Sequence, residues 1–470
     1  MDPDAPEPGA AAPGPAGGQP EQAREGSLEA PFRHPIDWRD PEYHDLASVE
    51  AELERVFDIC HGCRRCFNLC ESFPRLFDLV DEGPTGEVDG VAKADYAKVT
   101  EACTLCDMCF MTKCPYVPPH PWNVDFPHLM LRHRAAMRKA EGGEFMREQL
   151  GRTDRNGKLA KPVAGLANWA TDLKNKPVRA AMEAVVGVDR EALLPRFHRK
   201  TARDRLRDMP PPDPAGPAYG KRKVALYATC FSDYNAPQTA VAAAAVLARQ
   251  GVETVFAYPG CCGMPLLEAA DIAAVARSAE QVSAALLPLI EDGHDVVALT
   301  ASCALMLKFE WPLILPESEP VKRLAAATRD ISEYVVELAR DHGLAPGLTA
   351  LPAGVTLHHA CHARAQNMGA KSAQMLRMIP DTKVDLIERC SGHGGTFGVM
   401  KDTRPAAVKV GKPTARQVAK AGNDALCSDC PLACKHLGQL VSAELAEGAA
   451  APVQQSSPIE LFAKAYGLEF

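Results

Sequence analysis

The sequence predicts an α/β chain: a cysteine-bearing α-helical region, then a helical connector, then two tandem βαβ repeats. Three observations predict it. Eight of the 17 cysteines fall in two tight runs between Cys60 and Cys114. Helical periodicity leads into both runs. Beyond residue 220, short apolar strand-like segments alternate with helices, twice over, and run into cysteines.

Residues 1–30 are Pro/Ala/Gly-rich and acidic, with too few apolar side chains to offset the entropy of ordering, so a disordered tail is expected. They carry neither the basic start nor the apolar core of a secretory leader. With thiols grouped at ligand spacings, the expected compartment is a reducing cytoplasm. The chain is 46% apolar and 24% charged, with a formal net charge of −8, which argues against nucleic acid as a partner. No apolar run approaches the roughly 18 residues that span a bilayer.

Residues 45–123 form the first cysteine region. Val49, Leu53, Val56 and Phe57 share a helical face leading to Cys60, and Tyr96 and Val99 mark a second lead-in before Cys103. The runs read Cys60-x-x-Cys63-x-x-Cys66-x-x-x-Cys70 and Cys103-x-x-Cys106-x-x-Cys109-x-x-x-x-Cys114-Pro115. Zinc sites also use C-x2-C spacing, but a third cysteine two residues further on, in both runs, is the pattern of a two-cluster ferredoxin. There the fourth cysteine of each run reaches across to the other cube. The expected ligands are Cys60, Cys63, Cys66 and Cys114 for one [4Fe–4S] cluster, and Cys103, Cys106, Cys109 and Cys70 for the other. Two details depart from the bacterial pattern: Glu71 rather than proline follows Cys70, and four residues separate Cys109 from Cys114. Helical lead-ins favour a mostly α-helical ferredoxin region. Arg64 and Arg65, inside the first run, are expected to raise the potential of its cluster.

Residues 124–220 read as a helical connector, with apolar positions at Leu129, Met130 and Met137 and then at Val178, Met182, Val185 and Val186. It ends in a basic run from Arg196 to Arg207, read as a solvated helix face or a seat for an acidic or anionic surface. Pro210–Gly220 is the expected linker.

The repeats occupy residues 221–345 and 353–470. Val224–Ala228 leads to Cys230, Thr254–Tyr258 to Cys261-Cys262-Gly263, and Val296–Thr300 to Cys303. Thr356–His359 then leads to Cys361, Val384–Ile387 to Cys390-Ser391-Gly392, and Ala425–Cys427 to Cys430. Matching cysteines are 131, 129 and 127 residues apart, as an internal duplication requires. Parallel βαβ units place ligands beyond the carboxyl ends of their strands, so each repeat should gather its cysteines at one spot. A metal or cluster site is expected from Cys230, Cys261, Cys262 and Cys303, and another from Cys361, Cys390, Cys427 and Cys430. Ser391, Cys434, His362 and His393 are further candidate ligands.

These stretches, with Ser302-Cys303-Ala-Leu-Met-Leu-Lys308-Phe-Glu310-Trp-Pro312 and Cys390-Ser391-Gly392-His393-Gly394-Gly395-Thr396-Phe397-Gly398, resemble the CCG cysteine-rich domain. That family occurs in heterodisulfide reductase, in the glycolate oxidase iron–sulfur subunit and in lactate-utilisation proteins. It also occurs in one of the subunits of anaerobic glycerol-3-phosphate dehydrogenase, which these stretches resemble as well. The family pattern has five cysteines per repeat. Here Thr300 and Ser391 each replace one, which puts a noncubane cluster in doubt and favours ordinary cubes or zinc in these repeats. The resemblance implies an iron–sulfur electron-transfer subunit. A flavoprotein dehydrogenase of the glycerol-3-phosphate, glycolate or lactate type would feed two [4Fe–4S] clusters, and the CCG repeats would pass electrons to a quinone or another acceptor. The alternative is a heterodisulfide reductase-like or peroxide-linked reductase with catalysis in the repeats. Either implies a cytoplasmic protein, with peripheral association at the inner face of the membrane as a further expectation.

Overall fold

The computed structural model describes residues 30–444 and 454–470, with side chains from 30–443 and 454–470. The expected disordered tail lies outside that range.

Among the described residues no strand precedes Lys223, so the first half is helical. Asp45 caps the helix Leu46–Cys63 by accepting from Ser48 N, and Val49, Leu53, Val56 and Phe57 are buried as the periodicity requires. Helices Ser72–Asp81, Tyr96–Glu101 and Phe126–Glu141 pack with it around Phe73, Phe77, Tyr96 and Phe126. The first connector helix therefore shares a core with the cysteine runs.

The rest of the connector differs from expectation. In helix Lys176–Val186 the most buried residue is Arg179, 1% exposed and donating to the carbonyls of Asp189, Arg190 and Ala192, while Val178, Met182 and Val186 are half-buried and Val185 is 73% exposed. The basic run forms no helix face. It holds one turn, Ala202–Arg205, closed by a Thr201/Asp204 capping box, and Arg203 is drawn onto the Tyr258 carbonyl and the Phe256 ring.

Two parallel four-stranded sheets follow. The first contains β1 (Lys223–Tyr227), β2 (Glu253–Phe256), β3 (His294–Ala298) and β4 (Thr328–Asp330) in the order β2-β1-β3-β4. The second contains β5 (Val355–His358), β6 (Val384–Ile387), β7 (Ala425–Ser428) and β8 (Gln454–Ser456) in the order β6-β5-β7-β8. Strands β1 and β5 are each covered on both sides, and their apolar residues are fully buried, as a doubly covered parallel sheet demands. Pro237 opens the helix Pro237–Arg249, and Gly251 with φ of +81° follows it. Helix Pro458–Ala465, at the end of the second repeat, packs back on Pro237–Arg249 in the first.

The duplication carries a slip. Tyr227, the last residue of β1, pairs with Ala298, whereas His358, the last residue of β5, pairs with Ser428. The equivalent of Ala298 is thus Ser428, so Cys430 stands where the first repeat has Thr300, and Ala433 where it has Cys303.

Candidate metal centres

All 17 cysteines are free thiols. Cys60, Cys63, Cys66 and Cys114 line one small cavity, together with Phe73, Phe77, Arg65 and Lys113. Burial first, and then Cys114, Cys66 and Cys63, push the Cys60 thiol well above its ordinary value; Cys66 is pushed up to about 12 by burial, Cys114 and Cys63. A second group forms around Cys70. Burial and then Cys106 and Cys103 raise it, and Cys109 is raised by burial and by Cys106, Cys103 and Cys70. Each fourth cysteine therefore lies with the opposite run. Left-handed turns at Arg64, Leu105 and Asp107 bend the loops so that successive thiols face inward.

Within the first run the two arginines part company. Arg64 pairs with Asp81 and lies over the Phe77 ring, so its charge is offset at the surface. Both arginines line the four-cysteine cavity, but it is Arg65 that acts on Cys66, lowering its pKa against the burial. Arg65→Gln is expected to lower the midpoint of the centre held there, and Arg64→Gln to leave it nearly unchanged, in a redox titration followed by EPR. Equal shifts from both would contradict this division.

In the first repeat the Cys230 and Cys261 sulfurs are 3.8 Å apart, and those of Cys262 and Cys303 3.2 Å. Asp154, from the connector, accepts from Cys261 N at 2.9 Å and from the Tyr258 hydroxyl, and the Trp311 indole N–H donates to the Cys262 carbonyl at 3.0 Å. Hydrogen bonds from Cys230 and Cys262, helped by Thr153 and the Gly263 N–H, hold the Cys261 thiolate well below the usual thiol range. The same pairings and burial push Cys230 and Cys262 up.

The second repeat brings together three of its four expected cysteines. Cys361 is raised by burial and then by Cys106, Cys390 and Cys430. The Gly392 N–H points at Cys390 Sγ from 3.3 Å, and a side chain at Gly392 would strike the Ala407 carbonyl at 2.0 Å. Asp429 joins two of the loops, accepting from Ala360 N at 3.2 Å and lying 2.8 Å from His359 Nδ1. Cys427, however, lies inside β7 opposite Leu357 and Ser456, fully buried among apolar side chains. The Cys434 thiol donates to the Leu426 and Ser456 carbonyls at 3.5 and 3.7 Å, away from the other three. His362 lies 3.3 Å from the Leu105 carbonyl. His393 is buried beside His436, its pKa pushed down to about 3 by burial first and then His436, and neither ring nitrogen meets a hydrogen-bond partner among the described residues.

One cavity of about 890 Å³ collects these groups. Cys70 and Cys106 from the helical region, Cys230, Cys261, Cys262 and Cys303 from the first repeat, and Cys361, Cys390 and Cys430 from the second all line it. Among the described residues no three Cys, His, Asp or Glu side chains close on one point as ligands of a single ion would. The gathered thiols suit a wider, multinuclear group, and their burial and mutual repulsion are what a cationic iron core relieves.

The proximity of Cys106 to Cys361 and Cys390 had no signal in the sequence. Nor did the buried cluster in which Arg33 meets Asp107, Asp125 and Glu310 at 2.7, 3.0 and 3.2 Å and binds the helical region to the first repeat.

Comparison with known proteins agrees with the repeats. The family model described as CCG, cysteine-rich domain, matches residues 224–308 and 355–436. One of the subunits of the anaerobic glycerol-3-phosphate dehydrogenase of Escherichia coli K12 is 29% identical over 286 residues, 60% of this chain and 69% of that protein. Lactate utilization protein A of Geobacillus thermodenitrificans is 32% identical over 188 residues, 38% of this chain and 74% of its own. One of the subunits of the CoM/CoB fumarate reductase of Methanothermobacter marburgensis is 27% identical over 221 residues, 46% of this chain and 41% of its own. With two tandem copies of the domain and this relationship to redox subunits, the chain belongs to the CCG-domain family of iron–sulfur proteins.

Proposed function

We propose that this chain is an electron-relay subunit. A flavoprotein dehydrogenase acting on a small hydroxylated metabolite passes electrons singly to two [4Fe–4S] clusters in the helical region. These hand them to the CCG repeats and on to a quinone or similar acceptor. The observation that carries the reading is the shared cavity, where Cys106, from the second cysteine run, stands beside Cys361 and Cys390. In this reading Cys60, Cys63, Cys66 and Cys114 hold one cluster, Cys70, Cys103, Cys106 and Cys109 the next, and Cys230, Cys261, Cys262 and Cys303 a third centre. When bound, such groups supply one-electron redox chemistry; the residues around them exclude water, donate N–H groups to sulfur and set the potential.

Anaerobic iron and sulfide analysis with EPR tests this. The wild type should hold iron and sulfide in near-equal amounts, and Cys261→Ser should lose one centre while keeping those of the helical region. Protein free of inorganic sulfide would sink the proposal. The size of the cavity favours a second reading, catalysis within the repeats. Turnover of the isolated chain with a reduced dye and a disulfide or peroxide would favour that one.

A membrane-dissolved acceptor calls for a membrane-facing surface, and the connector offers one. Leu166 and Trp169 are exposed three residues apart on Ala164–Thr171, with Leu159 exposed on Thr153–Ala160, Val163 exposed between these two helices and Val185 exposed on the neighbouring helix. Residues 152–186 hold seven Lys and Arg against three Asp and Glu, in a chain of net charge −8. No helix among the described residues is long and apolar enough to cross a membrane. An apolar face rimmed by Lys158, Lys174 and Lys176 fits the surface of an anionic bilayer. Leu166→Ser with Trp169→Ser should weaken sedimentation with anionic vesicles by at least about a hundredfold, at about 1.5–3 kcal/mol for each large side chain withdrawn from water. Equal binding to neutral vesicles, or none to either, would contradict it.

A further inference from the structure

The two repeats do not present equivalent donor sets. The first offers four thiols. In the second, Ser391 follows Cys390 as Cys262 follows Cys261 in the sequence, and the register of β7 puts Ala433 in the place of Cys303; both line the cavity. Cys430 enters from the position of Thr300, which restores one thiol but not two. The two remaining cysteines are committed elsewhere, Cys427 inside the strand and Cys434 to backbone carbonyls.

We propose that the second repeat holds its iron–sulfur group through three thiolates only, those of Cys361, Cys390 and Cys430. One coordination position is left facing the cavity, where a small anion binds. Arg364 and Arg389, both on the cavity wall, act on Cys390, so a ligand entering beside Cys390 meets positive charge, while Glu268 and Glu388 line the same cavity and Glu268 acts on Cys430. The Ser391 hydroxyl, 3.4 Å from the His393 N–H, and the ring of His393 border the same space. An open position is what separates a metal site that binds exogenous ligands from one closed by protein donors. The inference rests on the reading that the repeats hold iron, and the measurements below separate the two.

The test uses the full chain purified without oxygen. Cys427→Ala should keep the iron, sulfide and EPR signals of the wild type, while Cys430→Ala loses one centre. Cyanide added to the reduced wild type should shift the signal of one centre, and the same shift should persist in Cys261→Ser, whose missing centre lies in the other repeat. A Cys427→Ala protein that melts like the wild type yet loses a centre would overturn the three-thiolate assignment. An EPR spectrum unmoved by saturating cyanide would overturn the open position, and this measurement needs no variant. Wild-type protein without iron would overturn the functional reading itself.

Discussion

Arg33→Ala is expected to lower the stability of the folded chain by about 3–5 kcal/mol, the cost of breaking a buried ion pair from one side. The guanidinium is 11% exposed and lies over the Phe110 ring. Burial alone works against its charge, but Asp107, Asp125 and Glu310 more than offset this, and its pKa ends well above the ordinary value. Glu310 is the least tolerant of the loss. It is buried in the π-turn Met306–Glu310, its carboxyl held down at about 2 against burial by His128 and Arg33. Without Arg33, two further carboxylates, Asp107 and Asp125, stay in the cluster with no guanidinium, only the imidazoles of His128 and His362 acting on the group. Because Asp107 sits between Cys106 and Met108, the helical region and the first repeat should also loosen against each other. The check is the urea midpoint together with the accessibility of Cys106 to a thiol reagent. Arg33→Lys, which keeps the charge but not the three-way fork, should lose less. An alanine variant within 1 kcal/mol of wild type would show that the cluster does not hold these parts together.

Much of this architecture is legible in the sequence because its signals are local. The six strands expected from apolar runs are present within a residue or two of the predicted ends, and the helix faces around Val49–Phe57 and Tyr96–Val99 are buried as expected. Strands β4 and β8 carry no such signal, because Thr328-Arg329-Asp330 and Gln454-Gln455-Ser456 are three residues long and polar, at sheet edges where one ladder suffices. For helix Lys176–Val186 the pattern is right for Val178, Met182 and Val186, which are half-buried, and wrong for Val185, which is exposed, since periodicity does not foresee a buried arginine. Arg179 is held there by three carbonyls in the interior.

The site shows the same division. Spacing alone groups the eight helical-region cysteines as the structure gathers them, because short loops leave the thiols few places to go. In the second repeat spacing marks Cys427-x-x-Cys430 as a ligand pair, and the structure places the two thiols apart. Where β7 ends decides the matter: it runs to Ser428, so Cys427 is a strand residue facing the core and Cys430 a loop residue facing the cavity. One residue of strand length is beyond what composition encodes.

Above pH 7, Asp330→Asn is expected to be more stable than the wild type. Asp330 is buried at the end of β4, where its carboxylate caps the helix Ile331–His342 by accepting from Ser332 N at 2.9 Å. Burial first, and then the neighbouring Asp429 carboxylate, push its pKa up from 3.8 to about 7. A carboxyl raised in the folded state stays protonated there while the unfolded chain has already released its proton. Its contribution is therefore complete below the unfolded value and is lost as the pH climbs through 7. At about 1.4 kcal/mol per unit this amounts to at most about 4 kcal/mol. Asparagine keeps the neutral form at every pH, still offers an oxygen to Ser332 N, and turns an amide N–H toward Asp429 in place of a negative charge. Urea unfolding at pH 5, 7 and 8.5 should show the gap between variant and wild type widening by about 2–3 kcal/mol over that range, nearly all of it between pH 5 and 7. Parallel pH profiles would mean that Asp330 ionises in the folded chain much as it does in water.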